Sequence, residues 1–181
     1  DYAKPHHDIL LKQTSQALQP PKRVGVFTNA MPQQIITYIY NYQLDYVQLD
    51  GSASPVLIDN LRRSVDPDIR PNIKFIKTIY VADKADLSCC QQYEGHSDML
   101  LFDAKYNQAT DADEPFDWSI LYAYSGKLPF LLGGGIGPNA VATIRQFHHP
   151  QCVGINLNSK FEKSPTIKDI HLLQKFLEAI R

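Results

Sequence analysis

The chain of 181 residues has a formal net charge of −1, with 44% hydrophobic and 20% charged residues. This composition is ordinary for a soluble globular protein, and the length suits one domain with a well-buried core. The charge gives no electrostatic case for binding nucleic acid or an anionic membrane. We expect neither a membrane-spanning segment nor a signal peptide.

Cysteine usage indicates a reducing compartment. The three cysteines, Cys89, Cys90 and Cys152, are an odd number and include two adjacent residues. That spacing fits neither a disulfide framework nor a zinc site. We therefore expect a cytoplasmic protein whose cysteines are small, buried or half-buried residues.

Short apolar runs followed by turn or cap residues predict β-strands along the chain. The predicted strands cover residues 23–27, 46–49, 73–81, 99–102, 130–132 and 152–157. Helical spacing of apolar residues, with cap residues such as Ser54 and Asp83, predicts the helices. The predicted helices cover residues 9–18, 32–42, 54–63, 83–93, 117–124, 140–147 and 167–180.

The predicted strands and helices alternate, with one strand starting about every 26 residues. Apolar strands that alternate with helices are typical of a parallel sheet covered by helices. A doubly wound open sheet and a (β/α)8 barrel both fit this pattern. Only six units are visible, whereas a closed barrel needs eight.

A glycine turn follows the fifth predicted strand, in the stretch LPFLLGGGIGPNAV of residues 128–141. Gly133, Gly134 and Gly135 open the turn, and Pro138 stands where a helix would begin. Backbone N–H groups in such a turn can approach an anion, and the following helix N-terminus favours negative charge. Phosphate binding and a tight turn without a ligand are both open from these residues alone.

Several strand ends carry a resemblance to a known family. The segments are RVGVFTNA (23–30), DYVQLDG (45–51), DMLLFDAK (98–105), FDW (116–118), LLGGGIGPNAV (131–141) and GINLNSKFEKSPTIKD (154–169). In this order they resemble the phosphoribosylanthranilate isomerase family of tryptophan biosynthesis. The resemblance implies a single TIM (β/α)8 barrel domain over residues 1–181, in which the six strands are the third to the eighth of the barrel.

The resemblance also implies a reaction, an Amadori rearrangement of N-(5-phosphoribosyl)anthranilate to 1-(2-carboxyphenylamino)-1-deoxyribulose 5-phosphate without metal or cofactor. An acid opens the furanose ring and a base then removes the proton from C2. Asp103, at the carboxyl end of its strand, matches the family's acid by position. An apolar site would raise its pKa and keep it protonated. The alternative is an ordinary turn cap.

Substrate-binding residues follow from the same resemblance. Gly134 and Gly135 match the family's phosphate-binding turn, and Asn158 and Ser159 match the second loop of that phosphate site. Gln48 matches a position close to the substrate. The expected ligand is a small phosphorylated molecule, and the expected protein is a monomer or homodimer.

The chain departs from the family pattern at several places. The family's general base, a cysteine at the end of the first barrel strand, has no counterpart, so we expect N-terminal residues beyond this sequence. Asp50 stands where the family commonly has histidine, Asn156 where many members have aspartate, and the loop 106–115 lacks its glycines. These departures favour one alternative, a phosphate-ligand-binding barrel without catalysis, against which the presence of both Asp103 and Gln48 argues. A further alternative is another phosphosugar enzyme on the same scaffold, but the strand ends show no lysine or metal-ligand histidine set for it.

Overall fold

A computed structural model of the chain describes residues 9–11, 20–105 and 117–181. Its main feature is a seven-stranded sheet in which six consecutive strands are parallel. The strands are β1 (Ile9–Leu11), β2 (Val24–Thr28), β3 (Tyr46–Asp50), β4 (Lys74–Val81), β5 (Met99–Ala104), β6 (Phe130–Leu132) and β7 (Cys152–Asn156). The order across the sheet is β1-β7-β6-β5-β4-β3-β2. All six predicted strands are therefore confirmed, in sequential parallel order.

Helices connect the parallel strands. The α-helices are α1 (Pro32–Tyr42), α2 (Pro55–Val65), α3 (Val141–Gln146) and α4 (Ile170–Ile180). Shorter 3-10 helices cover Lys84–Tyr93, Trp118–Ala123, Pro138–Ala140 and Ser159–Phe161. The helices predicted over 83–93 and 117–124 are thus in the right places, but they have 3-10 geometry.

Side-chain caps fix where several helices begin. The hydroxyl of Ser54 accepts a hydrogen bond from the Leu57 N–H, and Pro55 takes the first helical position. Asp83 and Asp86 form a reciprocal capping box at the helix Lys84–Tyr93. Each cap satisfies backbone N–H groups that the helix leaves unpaired.

The parallel sheet is buried on both faces, which explains its nearly continuous apolar strands. The larger apolar cluster packs between the sheet and the helices and includes Phe75, Phe102 and Phe130. A smaller cluster lies on the opposite face of the strands. It consists of Val24, Ile76, Leu101 and Leu131. Alternate side chains of β4 and β5 thus serve two cores, as in a barrel.

Two predictions at the ends of the chain are wrong. Residues 9–11 of the predicted helix 9–18 form strand β1, which pairs antiparallel with β7; residues 12–19 lie outside the described residues. The helix predicted from residue 167 begins at Ile170, because residues 162–168 form a hairpin of β8 (Glu162–Ser164) and β9 (Ile167–Lys168). Asp169 caps α4 by accepting from the Leu172 N–H.

Within the described residues, no helix has the length and apolarity required to cross a bilayer.

Candidate active site

The carboxyl ends of the parallel strands bring the predicted site residues to one edge of the sheet. Asp50 ends β3, and Asp103 is the penultimate residue of β5. The glycine turn follows β6, and Asn158 lies two residues beyond β7. Parallel strands place their carboxyl ends on the same side, which is where barrel enzymes build their sites.

Asp103 has the environment expected of a proton donor. Its Oδ1 accepts a hydrogen bond from the backbone N–H of the next residue, Ala104, at 2.8 Å. Burial raises the pKa of its carboxyl above the ordinary value of 3.8, and the negative charge of Asp50 raises it further, against the opposing effect of the Ala104 hydrogen bond. An acid with a raised pKa keeps its proton to a higher pH and can donate it there.

The glycine turn lies directly against Asp103. Gly134 and Gly135 have φ values of +80° and +67°, in the left-handed region that glycine tolerates best. A Cβ atom on Gly134 would lie 2.7 Å from the Ala104 backbone nitrogen and 3.2 Å from Asp103 Oδ1. The turn therefore needs glycine both for its φ and for its close approach to β5. The predicted glycine turn is confirmed, and its role in binding phosphate stays a prediction.

The second predicted phosphate loop, at Asn158 and Ser159, is held by a lysine. Lys168 Nζ donates to the Asn158 backbone oxygen at 3.1 Å, to Asn158 Oδ1 at 2.7 Å and to Glu162 Oε1 at 2.8 Å. The two loops approach each other, because a Cβ atom on Gly137 would lie 3.6 Å from the Lys160 side chain. The structure thus brings both predicted loops to neighbouring positions.

Gln48 is buried, with 7% of its surface exposed. Its Nε2 donates to Asp50 Oδ1 at 3.1 Å, and Thr78 Oγ1 donates to the same carboxylate oxygen. Three residues from two neighbouring strands therefore form one hydrogen-bonded group, which we call the Asp50 cluster. The sequence pointed to Gln48 and Asp50 separately, and it carried no signal that Thr78 joins them.

A buried lysine that sequence reasoning missed lies next to this cluster. Lys77 is 3% exposed, and its Nζ donates to the backbone oxygens of Gly51 at 2.8 Å, Thr78 at 2.8 Å and Leu49 at 3.4 Å. Burial lowers the pKa of its ammonium, opposed by the negative charge of Asp50. The only signal was a lysine inside the apolar run of 73–81, which a charged residue rarely enters without partners.

None of the three cysteines stands at the carboxyl end of a strand. Cys89 and Cys90 belong to the 3-10 helix Lys84–Tyr93, and Cys152 opens β7 at its amino end. Burial, with smaller effects of Cys89, raises the pKa of the Cys90 thiol to about 12. All three cysteines are free and buried or half-buried, as predicted. Hence the described residues offer no cysteine base at the carboxyl ends of the strands.

Two basic residues near strand ends, Arg23 and Lys105, are engaged in other contacts. Arg23 precedes β2 at its amino end and donates to the Tyr42 backbone oxygen at 3.0 Å. Lys105 forms an ion pair with Asp86 at 2.8 Å. The loop 106–115, in which the family glycines are missing, lies outside the described residues. Among the described residues, no group of three His, Cys, Asp or Glu side chains is arranged to hold a metal ion.

Comparisons with known proteins agree with this geometry. Residues 4–179 match the family model described as N-(5'phosphoribosyl)anthranilate (PRA) isomerase. A relative from Parabacteroides distasonis, named N-(5'-phosphoribosyl)anthranilate isomerase, is 41% identical over 160 residues, which are 88% of this chain and 69% of the relative. A relative of the same name from Phocaeicola vulgatus is 34% identical over 159 residues, which are 88% of this chain and 74% of the relative.

Solved structures show the same fold. A crystal structure of phosphoribosyl anthranilate isomerase from Thermotoga maritima aligns with a TM-score of 0.72 at 27% identity, covering 90% of this chain and 75% of that one. Another, in complex with reduced 1-(o-carboxyphenylamino)-1-deoxyribulose 5-phosphate, aligns with a TM-score of 0.70 at 25% identity, over 90% and 73% of the two chains. The fold is that of the barrel isomerases, although the sheet described here is open by its hydrogen bonds. From the family match and these identities, the chain belongs to the N-(5'-phosphoribosyl)anthranilate isomerase family.

Proposed function

We propose that the protein isomerises N-(5'-phosphoribosyl)anthranilate to the corresponding aminoketose phosphate. Family membership supports the substrate, and one structural observation supports the chemistry. That observation concerns Asp103, which lies against the glycine turn at the carboxyl edge of the sheet. Burial raises the pKa of its carboxyl. A protonated carboxyl beside an anion-binding turn is suited to act on a sugar whose phosphate the turn holds.

In this proposal each site residue has one task. Asp103 donates a proton to the ring oxygen, so that the furanose opens to a Schiff base. The backbone N–H groups around Gly134, Gly135, Asn158 and Ser159 hold the phosphate, and Gln48 contacts the sugar or its amine. A general base then takes the proton from C2, which gives an enolamine that tautomerises to the ketone; the residues assigned here do not include that base. Neither step requires a metal or an organic cofactor.

A second candidate function is a barrel that binds the phosphorylated ligand without converting it. The positions of Cys89, Cys90 and Cys152 favour it, because none of them stands at the carboxyl end of a strand, where a base for the C2 proton is needed. The two candidates differ in turnover and agree in ligand binding.

The experiment measures loss of substrate fluorescence with purified protein and with Asp103→Asn. We expect conversion by the wild type and at least a hundredfold lower kcat in the variant, since a positioned acid contributes about that factor or more. Asp68→Asn, at an exposed aspartate, is the matched control and should retain full activity. Near-normal turnover by Asp103→Asn would remove Asp103 from the mechanism.

Ligand binding without turnover decides for the second candidate. The reduced product analogue seen in the related crystal structure is the probe. Calorimetric binding of this analogue by a wild-type protein that leaves the substrate unchanged identifies a binding barrel. If the protein neither binds the analogue nor converts the substrate, both candidates fail.

Assembly, domain organisation and location complete the proposal. We propose a single barrel domain that works as a monomer or homodimer, and light scattering after size-exclusion chromatography distinguishes these two states. Three free cysteines suit a reducing cytoplasm, which we propose as the location.

A further inference from the structure

The Asp50 cluster contains an unusual constraint on the side-chain amide of Gln48. Asp50 Oδ1 accepts from Gln48 Nε2 at 3.1 Å and also from Thr78 Oγ1. An ionised carboxylate has acceptors and no donor, so the amide must turn its NH2 group towards Asp50. The Gln48 carbonyl oxygen, Oε1, then points away from the carboxylate.

The backbone around Asp50 is fixed as well. Lys77 Nζ donates to the backbone oxygens of Leu49 and Gly51, the residues on either side of Asp50. Gly51 has a φ of +71°, and a Cβ atom on it would lie 2.5 Å from Asn29 Oδ1. Asn29 Oδ1 in turn accepts from the Ser52 N–H at 3.2 Å. The carboxylate is therefore presented to Gln48 from a turn that has little freedom to move.

Gln48 Oε1 is free to meet a ligand. No hydrogen bond joins it to another described residue. Two buried side-chain polar atoms of the described residues lack a partner, Ser97 Oγ and Trp118 Nε1, and Gln48 Oε1 is not among them. Oε1 therefore keeps contact with solvent although the residue as a whole is 7% exposed. A solvent-accessible acceptor on a fixed side chain is the kind of group that selects a ligand by its donors.

We propose that Asp50 is a positioning residue that orients the Gln48 amide so that its carbonyl oxygen accepts a hydrogen bond from an N–H or O–H group of the ligand. The inference rests on the proposed function only for the identity of that ligand, an aminated sugar phosphate.

The binding test is a double-mutant cycle with the reduced product analogue as the probe, measured by calorimetry. Asp50→Ala releases the amide, and Gln48→Met removes it at similar size. We expect each to weaken binding about tenfold, which corresponds to one lost hydrogen bond. The double variant should bind within about twofold of Gln48→Met alone, because residues that act through one another are not additive. Additive losses would overturn the proposal.

Asp68→Asn, at an exposed aspartate outside the Asp50 cluster, is the control for binding. We expect its affinity for the analogue to stay within about twofold of the wild type. Circular dichroism and thermal unfolding of all variants verify that they fold. A tenfold loss in Gln48→Met together with unchanged binding by Asp50→Ala would show that the amide needs no orientation by the carboxylate, and would overturn the proposal.

The spectroscopic test does not depend on the ligand. In protein with isotope-labelled glutamine amides, the Gln48 signals are those that disappear in Gln48→Met. We expect one Nε2 proton to be shifted downfield and protected from exchange in the wild type and in Asp68→Asn, and to lose both properties in Asp50→Ala. Persistence of the shift in Asp50→Ala overturns the inference even if the analogue binds. Failure of the wild type to bind the analogue counts against the proposed function, while this signal still decides the amide orientation.

Discussion

At the scale of single residues, Asp103 combines a functional position with a cost to folding. Its carboxyl has a raised folded-state pKa, mainly because burial penalises the charge. The folded protein then binds a proton more tightly than the unfolded chain between the ordinary pKa of 3.8 and the raised value. Stability therefore falls as the pH rises through that window and stays lower above it.

Asp103→Asn should accordingly stabilise the fold at neutral pH while it removes the proposed proton donor. The amide carries no charge to desolvate, and its oxygen can still accept from the Ala104 N–H. Urea unfolding at several pH values measures the effect. The gain in the free energy of unfolding of Asp103→Asn over the wild type should shrink as the pH falls towards 3.8. Equal stability of variant and wild type at neutral pH would contradict the buried, raised-pKa carboxyl.

The sequence predicted the position of those site residues that follow directly after a strand, while the resemblance to the family suggested their roles. Asp103 follows an apolar strand, and Gly134 and Gly135 follow another, so a parallel arrangement sends both to one edge. Thr78 and Lys77 could not be found in this way. Their partners, Asp50 and Gly51, lie on the neighbouring strand, and pairing them requires the register of β3 against β4.

At the scale of elements, the turn after β6 carries two separate requirements for glycine. Gly134 has a φ of +80°, and an added Cβ would also meet the Ala104 nitrogen at 2.7 Å. Gly95 has a φ of +83° with no atom within 4 Å of such a Cβ. This pair separates backbone strain from close approach, because only Gly134 has both.

Gly134→Ala should therefore cost clearly more than Gly95→Ala. The left-handed backbone alone costs about 1 kcal/mol for alanine. The contact with β5 adds displacement of a strand backbone, so we expect a total of about 2–4 kcal/mol at Gly134. The free energy of unfolding in urea measures both variants. Equal losses would show that the turn can withdraw from β5 without cost, and would contradict the close approach as a separate requirement for glycine.

Element types were harder to predict than element positions. Ten residues of mixed pattern, Lys84–Tyr93, do not distinguish a period of 3.0 from 3.6, and Asp, Ser and Cys are weak α-helix formers. Strand β9 falls within the helix predicted over 167–180, but it pairs with β8 in a hairpin. Its chain reversal contains Thr166 at a φ of +72°, and Lys168 joins Glu162 across it. A local pattern of apolar residues shows neither this backbone conformation nor this ion pair.

At the scale of the whole molecule, the two edges of the sheet have different tasks. The carboxyl edge holds Asp103, the Asp50 cluster and both loops. The amino edge holds ion pairs that tie helices and strands together. Asp45 pairs with Arg70 at 2.7 Å, and Asp98 pairs with Arg62 at 2.8 Å and Lys74 at 2.9 Å. This separation of stability from chemistry is the general arrangement of barrel enzymes.

Asp98 is the better test of that separation, because it joins three elements. Asp98 lies just before β5 begins. Its carboxylate accepts hydrogen bonds from Arg62 of α2, from Lys74 of β4 and, at 2.9 Å, from the Phe75 N–H. Burial raises its pKa, but these hydrogen bonds outweigh burial and lower the pKa below 3.8. The stability it contributes is therefore present above pH 3.8 and is lost as the pH falls through the lower folded-state value.

Asp98→Ala should destabilise the fold by about 2–3 kcal/mol at neutral pH, since it leaves a half-buried guanidinium and a backbone N–H without their acceptor. Asp59→Ala is the matched control. It removes an exposed pair with His96, 36% exposed on each side, and should cost under about 1 kcal/mol. Urea unfolding measures both losses, and the difference between wild type and Asp98→Ala should narrow in acid. Neither variant should change the affinity for the reduced product analogue, because both residues lie away from the carboxyl edge; weaker binding by folded Asp98→Ala would show that the two edges are coupled.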